Sequence, residues 1–239
     1  NLNKMKINTL CILCARGGSK GIRNKNLKKV DGKPLIFYPI KAAKMSGVID
    51  KIIISTDSKK IARCAEKFGA EVPFIRPKKL SGDLITTEKT LKYSLLKYEK
   101  ISKKKFDICV FLTATDIFRK VSWITKAVNI LKSNSKLESV FSGHKTHKNF
   151  WELKNNRWVR LKSWMSKYSS RQVRKPILRE DTGIACASRA HLWRKGKRIG
   201  DKVEIIQNDE SFTNIDIHEV NDLKLANFAM RIWKKNLYK

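Results

Sequence analysis

The chain has 239 residues, with 53 lysines and arginines against 21 aspartates and glutamates, a formal net charge of +32 at pH 7. Its length suits one α/β domain with a modest appendage, and 41% hydrophobic residues with only 11 glycines and 5 prolines exclude a disordered or fibrous chain. No apolar run approaches the roughly 20 residues needed to cross a bilayer, and no secretory leader pattern stands near the start. We therefore expect a cytoplasmic protein with no membrane partner.

The positive charge predicts an anionic partner, which could be nucleic acid, a phosphorylated nucleotide or an acidic sugar. The lysines are spread along the whole sequence and are not gathered in one tail. This distribution makes nucleic acid the least favoured of the three partners. A general lysine bias of the lineage explains the charge as well as a functional electrostatic field does.

The five cysteines are an odd number, which fits a reducing compartment. Cys11 and Cys14 have C-x-x-C spacing, but they lie in an apolar run typical of a buried strand. Residues three apart on a strand face opposite sides, so we expect no metal or redox role for this pair.

In chain order, short apolar runs alternate with segments that have helical spacing up to residue 142. Because parallel strands need crossover connections, this order predicts an α/β fold: three α/β/α layers around a mainly parallel, Rossmann-like sheet. Asp57 or Ser58 and Thr86 or Thr87 are candidate caps for the second and third helices. The predicted strands are 8–15, 51–56, 107–112 and 138–142, and the predicted helices are 34–46, 59–68, 87–100 and 122–132.

Residues 144–170 break this pattern with a segment rich in Trp, Lys and Asn. A mobile loop would expose Trp151, Trp158 and Trp164 to water, so we predict a hairpin-like insertion that packs against a second subunit of a homodimer. Further strands are predicted at 183–188 and 212–217, followed by a closing helix at 219–233. The whole chain, 1–239, is thus predicted to be one domain that carries this insertion.

A glycine-rich, basic loop, A-R-G-G-S-K-G-I-R-N-K-N at 15–26, follows the first predicted strand. Its glycines allow the backbone to turn sharply and direct N–H groups toward phosphate oxygens, and its cations can neutralise a triphosphate. Ligands of open parallel sheets bind at this end of the strands. The pattern matches neither the Walker A loop nor the G-x-G-x-x-G fingerprint, which removes the usual support for ATPase and nicotinamide functions. The glycines are Gly17, Gly18 and Gly21, and the cations are Arg16, Lys20 and Lys25.

Together with further motifs, this loop resembles the acylneuraminate cytidylyltransferase family, whose members make CMP-activated sialic acids and related sugars. The resemblance covers nearly the whole chain in the family's order. It implies that the anomeric hydroxyl of a nonulosonic sugar acid attacks the α-phosphorus of CTP and that pyrophosphate leaves. The further motifs are G-K-P-L at 32–35, S-T-D at 55–57 and G-A-E-V-P-F-I-R-P at 69–77, with matching stretches at 80–87, 170–183 and 215–223.

The resemblance also assigns the nucleotide contacts. Arg76 and Thr87, where the family usually has serine, would face cytosine, because a planar guanidinium can hydrogen-bond a carbonyl and a ring nitrogen together. Asn26 would lie near the ribose or base. Arg16 and Lys25 would also act in catalysis. The phosphate contacts would be Arg16, Gly17, Gly18, Ser19, Lys20 and Lys25.

On the sugar side, the resemblance assigns Arg171, Gln172 and Arg179. The two arginines would receive the carboxylate of the sugar acid or the phosphates of the nucleotide, since bidentate arginine geometry suits either anion.

The wall of the sugar site departs from the family pattern. Residues 112–119 read L-T-A-T-D-I-F-R, whereas sialic-acid members usually have L-Q-P-T-S-P-L-R. Thr113 replaces a glutamine thought to touch the sugar, and Asp116 adds a negative charge. N-acetylneuraminate is therefore the least expected acceptor, and a sugar acid with an amino group that pairs with Asp116 is our hypothesis.

The predicted metal site also departs from the family. Many members hold Mg²⁺ with two aspartates in D-I-D, whereas this chain reads I-D-I-H, with Asp216 and His218. Imidazole is a poor magnesium ligand. Asp216 could bind Mg²⁺, or Mn²⁺, with more water and fewer protein ligands; His218 could act as a general base near neutral pH; or catalysis could be lost. Lost catalysis would leave a nucleotide- or polyanion-binding protein, and a synthetase for an eight-carbon 3-deoxy sugar acid is a further alternative.

Overall fold

A computed structural model describes residues 6–19, 21–82 and 84–234. Its strands are β1 (Thr9–Cys14), β2 (Lys29–Val30), β3 (Lys33–Pro34), β4 (Lys51–Ser55), β5 (Ile108–Leu112), β6 (Ser139–Thr146), β7 (Trp151–Lys154), β8 (Arg157–Arg160), β9 (Ile177–Glu180), β10 (Cys186–Arg189) and β11 (Val203–Asn208). Its helices are α1 (Phe37–Met45), α2 (Lys59–Lys67), α3 (Thr87–Ser102), α4 (Val121–Ser133), α5 (Ala190–Arg194) and α6 (Val220–Trp233).

Seven of the strands in the described ranges form a mixed sheet in the order β11-β6-β10-β5-β1-β4, with β9 paired to β6. β1 pairs in parallel with both β4 and β5, and β11 pairs in parallel with β6. β10 runs antiparallel to its neighbours β5 and β6, and β9 runs antiparallel to β6. The predicted sheet of mostly parallel strands is confirmed, with β9 and β10 as the exceptions.

Helices cover both faces of this sheet, which confirms the three α/β/α layers. Along β1, Cys11 and Leu13 face the core formed with α1, α2 and α4, whereas Leu10 and Ile12 face the core formed with α3 and α5. A strand that is buried on both faces has a continuous run of apolar residues. The position of β1 could therefore be predicted from the sequence.

The cysteines are buried or half-buried. All five are free thiols, and Cys11 and Cys14 pack on opposite sides of β1, as their spacing predicts. Burial raises the pKa of the Cys11 thiol to about 12 and that of the Cys14 thiol to about 11. Both thiols therefore stay protonated at neutral pH, which disfavours metal binding and thiolate chemistry.

Two of the predicted helix caps are present. The Ser58 hydroxyl accepts a hydrogen bond from the backbone N–H of Ile61 at 3.4 Å, and the Thr86 hydroxyl accepts one from Lys89 at 3.3 Å. These caps begin α2 and α3 at the edge of the sheet where β1 and β4 end. That edge carries the glycine loop.

The chain after residue 200 differs partly from the prediction. The strand predicted at 212–217 is wrong, because Ser211–Asn214 form a 3₁₀ turn and the chain then runs without regular structure to α6. The apolar alternation of Phe212, Ile215 and Ile217 reflects packing against the core beneath α6. β11, which lies at the edge of the sheet beside β6, was not predicted from the sequence.

The predicted start of the insertion is wrong, because residues 144–146 belong to β6 of the main sheet. Further along, the insertion does form a hairpin outside that sheet. β7 and β8 pair antiparallel, and Asn155 and Asn156 join them with φ of 48° and 57°, a left-handed conformation that asparagine tolerates. Trp158 is 68% exposed and Trp151 46% exposed in the single chain, whereas Trp164 is half-buried. Among the described helices, none is long and apolar enough to span a bilayer.

Candidate functional site

The glycine loop leaves β1 at the carboxyl end of the strand and is fixed at two points. The Gly17 N–H donates to the Asp57 carboxylate at 2.8 Å, and a Cβ at Gly17 would lie only 3.1 Å from Ser58 Cβ. A Cβ at Gly21 would collide with the backbone oxygen of His218. The loop thus needs glycine where it passes the β4–α2 turn and the predicted metal segment. Lys20, a predicted phosphate contact, lies outside the described residues.

Two cavities flank this loop and share Cys14 and Arg16 in their walls. The first has a volume of about 310 Å³ and the second about 410 Å³. The structure divides the predicted residues between them. The first contains Arg76 and Thr87, and the second contains Ser19, Lys25, Asn26, Thr113 and His218.

Arg76 is fixed in the first cavity although it is a cation. It is 4% exposed; its backbone N–H donates to the Thr56 carbonyl at 2.7 Å, and its Nε donates to the Ser81 hydroxyl at 3.1 Å. Thr87 is the first residue of α3, so the positive end of that helix lies at the same cavity. A held guanidinium beside a helix N-terminus suits the hydrogen-bond acceptors of a base.

Lys25 and Asn26 hold the other end of the loop in the second cavity. Lys25 Nζ donates to the Ile217 carbonyl at 3.0 Å, and Asn26, which is buried, donates to the Arg16 carbonyl at 3.1 Å. Burial lowers the pKa of Lys25 and Arg16 lowers it further, while the Asp216 carboxylate acts in the opposite direction. The two cations and this carboxylate therefore lie close enough to interact.

Asp216 and His218 form a hydrogen-bonded pair, of which His218 lines the second cavity. Asp216 Oδ2 and His218 Nε2 are 2.7 Å apart, and the His218 N–H donates to Asp222 at 2.9 Å. In the part of the chain that the structure describes, no group of three or more His, Cys, Asp or Glu side chains could hold a metal. Mg²⁺ is commonly bound by one or two carboxylates, with water and substrate phosphates as its other ligands. Asp216 fits that role, and His218 is placed as the partner of its carboxylate.

The wall of the second cavity opposite the loop is built from Thr113 and residues it contacts. The Thr113 hydroxyl donates to Asp116 Oδ2 at 2.5 Å, while Thr113 itself lines the cavity. Burial raises the pKa of Asp116, and the nearby Asp216 raises it further. The Asp116 carboxylate thus faces Thr113, and its pairing with an amino group stays a prediction.

Arg119 and Gly183 belong to the same wall and were missed by the sequence analysis. Arg119 is 2% exposed and donates to the carbonyls of Thr113 at 2.7 Å, Gly183 at 2.9 Å and Ile184 at 2.9 Å. One signal was available, because Arg119 ends the 112–119 stretch and the family's L-Q-P-T-S-P-L-R also ends in arginine. That match did not indicate that the side chain binds backbone carbonyls.

Arg171 and Arg179 line a third cavity, of about 700 Å³, beneath the insertion. Arg179 is already paired: its Nε and Nη2 donate to the two carboxylate oxygens of Asp181 at 2.7 and 2.9 Å, and its Nη1 donates to Asn214 at 3.0 Å. Gln172 is exposed. The predicted sugar-side residues are therefore not gathered with Thr113 in one cavity. Three further cations of the third cavity, not predicted from sequence, are Lys145, Lys148 and Arg174.

A glycine loop at the end of the first parallel strand, with cations in the walls of two adjacent cavities, is typical of a nucleotide-binding α/β protein. Residues 10–228 match the profile of the cytidylyltransferase family. Post-translational flagellin modification protein B of Campylobacter coli and CMP-N,N'-diacetyllegionaminic acid synthase of Campylobacter jejuni subsp. jejuni are each 32% identical over 231 residues, 95% of this chain and 96% of theirs. The chain belongs to the cytidylyltransferase family, so it is an enzyme of the nucleotidyltransferase class, and the resemblance noted in the sequence is confirmed.

A comparison with solved structures also finds proteins of the same fold. A solved structure of CMP:2-keto-3-deoxy-manno-octonic acid synthetase complexed with CTP superposes with a TM-score of 0.68 over 94% of this chain and 99% of that chain. The sequence identity is 13%, so this likeness concerns the fold alone.

Proposed function

We propose that the enzyme transfers CMP from CTP to a nonulosonic, sialic-acid-like sugar acid and releases pyrophosphate. The observation that carries this proposal is the meeting of two cavities at Arg16, one suited to a base and the other to phosphates and an acceptor. The collinear match to a CMP-N,N'-diacetyllegionaminic acid synthase supports the class of acceptor.

In this reaction cytosine occupies the first cavity, against Arg76 and Thr87, and the triphosphate passes Arg16 toward Lys25. The sugar approaches from the Thr113 side, and its anomeric hydroxyl attacks the α-phosphorus as the bond to pyrophosphate breaks. Arg16 and Lys25 stabilise the charge that develops on the departing pyrophosphate. The Ile217 carbonyl holds Lys25 Nζ, and Asn26 holds the backbone carbonyl of Arg16, before the substrate arrives.

Asp216 is the residue proposed to hold Mg²⁺, with Mn²⁺ as an alternative. The ion, when bound, would neutralise negative charge on the phosphates. His218 keeps the Asp216 carboxylate oriented through their 2.7 Å hydrogen bond. A base role for His218 toward the sugar hydroxyl is the competing assignment.

We further propose a homodimer that buries the β7–β8 hairpin, and a cytoplasmic location. The exposed Trp151, Leu153 and Trp158 on one hairpin support the first proposal, because such an apolar surface is costly in water. The free thiols support the second.

Pyrophosphate release from CTP and Mg²⁺, measured across a panel of nonulosonic and octulosonic acids, tests the function. We expect release with at least one nonulosonic acid, and a loss of about 100-fold in kcat/KM for Lys25→Met, as for removal of one preorganised charge-stabilising group. Lys28→Met, at an exposed lysine three residues away, is the matched control and should retain activity. If no sugar acid of the panel supports pyrophosphate release while CTP still binds, the result would favour a nucleotide- or polyanion-binding protein without transferase activity. Turnover of octulosonic acids alone would favour the eight-carbon synthetase.

A further inference from the structure

A serine five residues later in the chain holds the Nε atom of Arg76. Arg76 Nε donates to the Ser81 hydroxyl oxygen at 3.1 Å, and that hydroxyl lies 3.3 Å from the Pro77 carbonyl oxygen. A guanidinium can only donate hydrogen bonds, whereas a serine hydroxyl has one proton and two acceptor lone pairs. The Ser81 oxygen therefore accepts from Arg76, and its own proton is directed to the Pro77 carbonyl.

The turn between the two residues fixes the position of Ser81. Lys78–Leu80 form a 3₁₀ turn directly after Pro77, and the Ser81 N–H donates to the carbonyl of the first residue of that turn at 2.9 Å. The segment is also tied to the end of β4, because the Arg76 N–H donates to the Thr56 carbonyl at 2.7 Å. The backbone of the arginine and the Nε atom of its side chain are thus both held.

This arrangement leaves the outer edge of the guanidinium for a ligand. Arg76 and Ser81 both line the first cavity, and in the described part of the chain the two Nη atoms of Arg76 have no hydrogen-bond partner. Neither Nη atom is sealed from solvent, although the residue as a whole is only 4% exposed. Because the group is planar and its Nε–H is occupied, it presents two parallel N–H donors, one from each Nη atom.

Two parallel donors distinguish cytosine from uracil. Cytosine has a carbonyl oxygen at position 2 and an unprotonated nitrogen at position 3, and these two atoms can accept both hydrogen bonds. In uracil the same nitrogen carries a proton, so a donor would face a donor. A site built around a hydrogen bond rejects an analogue that cannot make it. This rejection requires that the guanidinium cannot rotate away from its position.

We propose that Ser81 is a positioning residue for base recognition, which accepts the Nε–H of Arg76 and thereby keeps the Nη edge directed at the base. The preference for CTP over UTP then depends on the Ser81 hydroxyl, although that hydroxyl need not touch the nucleotide. The inference rests on the proposed function, because that function places cytosine in the first cavity.

The test measures the dissociation constants of CTP and UTP by calorimetry, without a sugar acid. Ser81→Ala removes the acceptor and leaves the Nε atom of a buried arginine unpaired. We expect the preference for CTP over UTP to fall about tenfold, the value of one hydrogen bond to a charged group, mainly through weaker binding of CTP. Ser81→Thr keeps the hydroxyl and should retain the preference. Ser133→Ala is the matched control, since the Ser133 hydroxyl also donates to a backbone carbonyl, that of Ile130 at 3.0 Å, at the end of α4.

A double-mutant cycle with Arg76→Lys shows whether Ser81 acts through the arginine. Lysine has no Nε–H for Ser81 to hold, so Arg76→Lys and the double variant Arg76→Lys, Ser81→Ala should have the same ratio of CTP to UTP affinity. A further fall of this ratio in the double variant would mean that Ser81 acts on the base independently, which overturns the inference.

The inference is also overturned if Ser81→Ala keeps the preference of the wild type, or if it weakens CTP and UTP equally, as a merely structural role would. If Ser81→Ala does not fold, Ser81→Cys decides by the same ratio, because a thiol is a weak acceptor of similar size. A wild type that binds CTP and UTP equally overturns the inference as well. A preference for CTP without pyrophosphate release for any sugar acid removes the proposed transferase function and leaves the role of Ser81 supported.

Discussion

His218 is the residue whose chemistry departs most from that of a magnesium ligand. Its position beside Asp216 suggests a substitution that should tighten Mg²⁺ binding. Its Nε2 is hydrogen-bonded to Asp216 Oδ2 at 2.7 Å, so a carboxylate at position 218 would stand beside Asp216. Affinity for hard cations rises with the number of carboxylate ligands. We expect His218→Asp to lower the Mg²⁺ concentration for half-maximal activity about tenfold, and to tighten Mn²⁺ binding measured by electron paramagnetic resonance without substrates.

His218→Asn provides the comparison, because it removes the imidazole without adding charge. It should bind Mn²⁺ no more tightly than the wild type. A loss of turnover in both variants, with Mn²⁺ affinity raised in His218→Asp, would instead identify His218 as the general base.

Single residues also show what sequence can and cannot predict. Arg16 and Lys25 were predictable because they belong to one short loop, so their neighbourhood is set by local sequence. The pairing of Arg179 with Asn214, 35 residues later, depends on how β9 lies against the chain before α6. The direction of the Asp116 carboxylate likewise depends on Gly183. Residue types could be predicted, but the contacts that restrict their chemistry could not.

At the scale of elements, Glu99 joins α3 to α5. Its side chain is 2% exposed and accepts hydrogen bonds from Arg194 at 2.6 and 3.1 Å, from the Phe106 N–H at 3.1 Å and from Lys105 at 3.0 Å. Burial alone would raise the pKa of Glu99, but these donors together lower it below its usual value. The carboxylate is therefore more favourable in the folded than in the unfolded chain.

We expect Glu99→Gln to lower the free energy of unfolding at pH 7 by about 3 kcal/mol, since it leaves Arg194 without its buried charge partner. A carboxyl with a lowered folded pKa stabilises above its unfolded pKa and loses this contribution as pH falls through the folded pKa. Urea unfolding from pH 7 to pH 3 should show the difference between variant and wild type shrinking below about pH 4.5, the usual value for glutamate.

Asp31→Asn is the matched control for this ion pair, because Asp31 and Lys234 form an exposed pair. Such pairs contribute little, so the change should stay within about 0.5 kcal/mol at every pH. A pH-independent difference for Glu99→Gln would mean that the glutamate acts through the hydrogen bonds that an amide NH₂ cannot accept, and not through its charge.

Strands and helices could be predicted from the sequence where burial gives their apolar residues a regular spacing. β1, β4 and β5 are apolar on both faces because helices cover both sides of the sheet, and α2 and α3 have side-chain caps. The 212–217 segment was misassigned since packing against α6 also produces alternation. β10 could not be oriented from sequence, because the antiparallel direction is set by the connection from β9.

For the whole molecule, the exposed hairpin predicts an oligomer. We expect sedimentation equilibrium to give twice the chain mass of 27.6 kDa. Trp158→Arg should shift the protein toward monomer, because it places a charge on the 68% exposed ring position of the hairpin. Phe228→Arg, at a 63% exposed position of α6, is the control and should remain dimeric. If Phe228→Arg dissociates the dimer and Trp158→Arg does not, the interface lies at α6 and not at the hairpin.

The net charge of +32 makes salt dependence the measurement that separates a CTP pocket from general polyanion binding. Release of counterions makes non-specific binding to single-stranded nucleic acid fall steeply with salt, whereas base recognition at a buried arginine is screened much less. Between 50 and 500 mM NaCl we expect an oligonucleotide to lose more than about 100-fold in affinity, while the preference for CTP over UTP persists.

Arg76→Lys should remove that preference, because an ammonium cannot make the planar pair of hydrogen bonds. Equal salt slopes for CTP and the oligonucleotide, without preference among bases, would show that the charge and not the cavity holds the nucleotide.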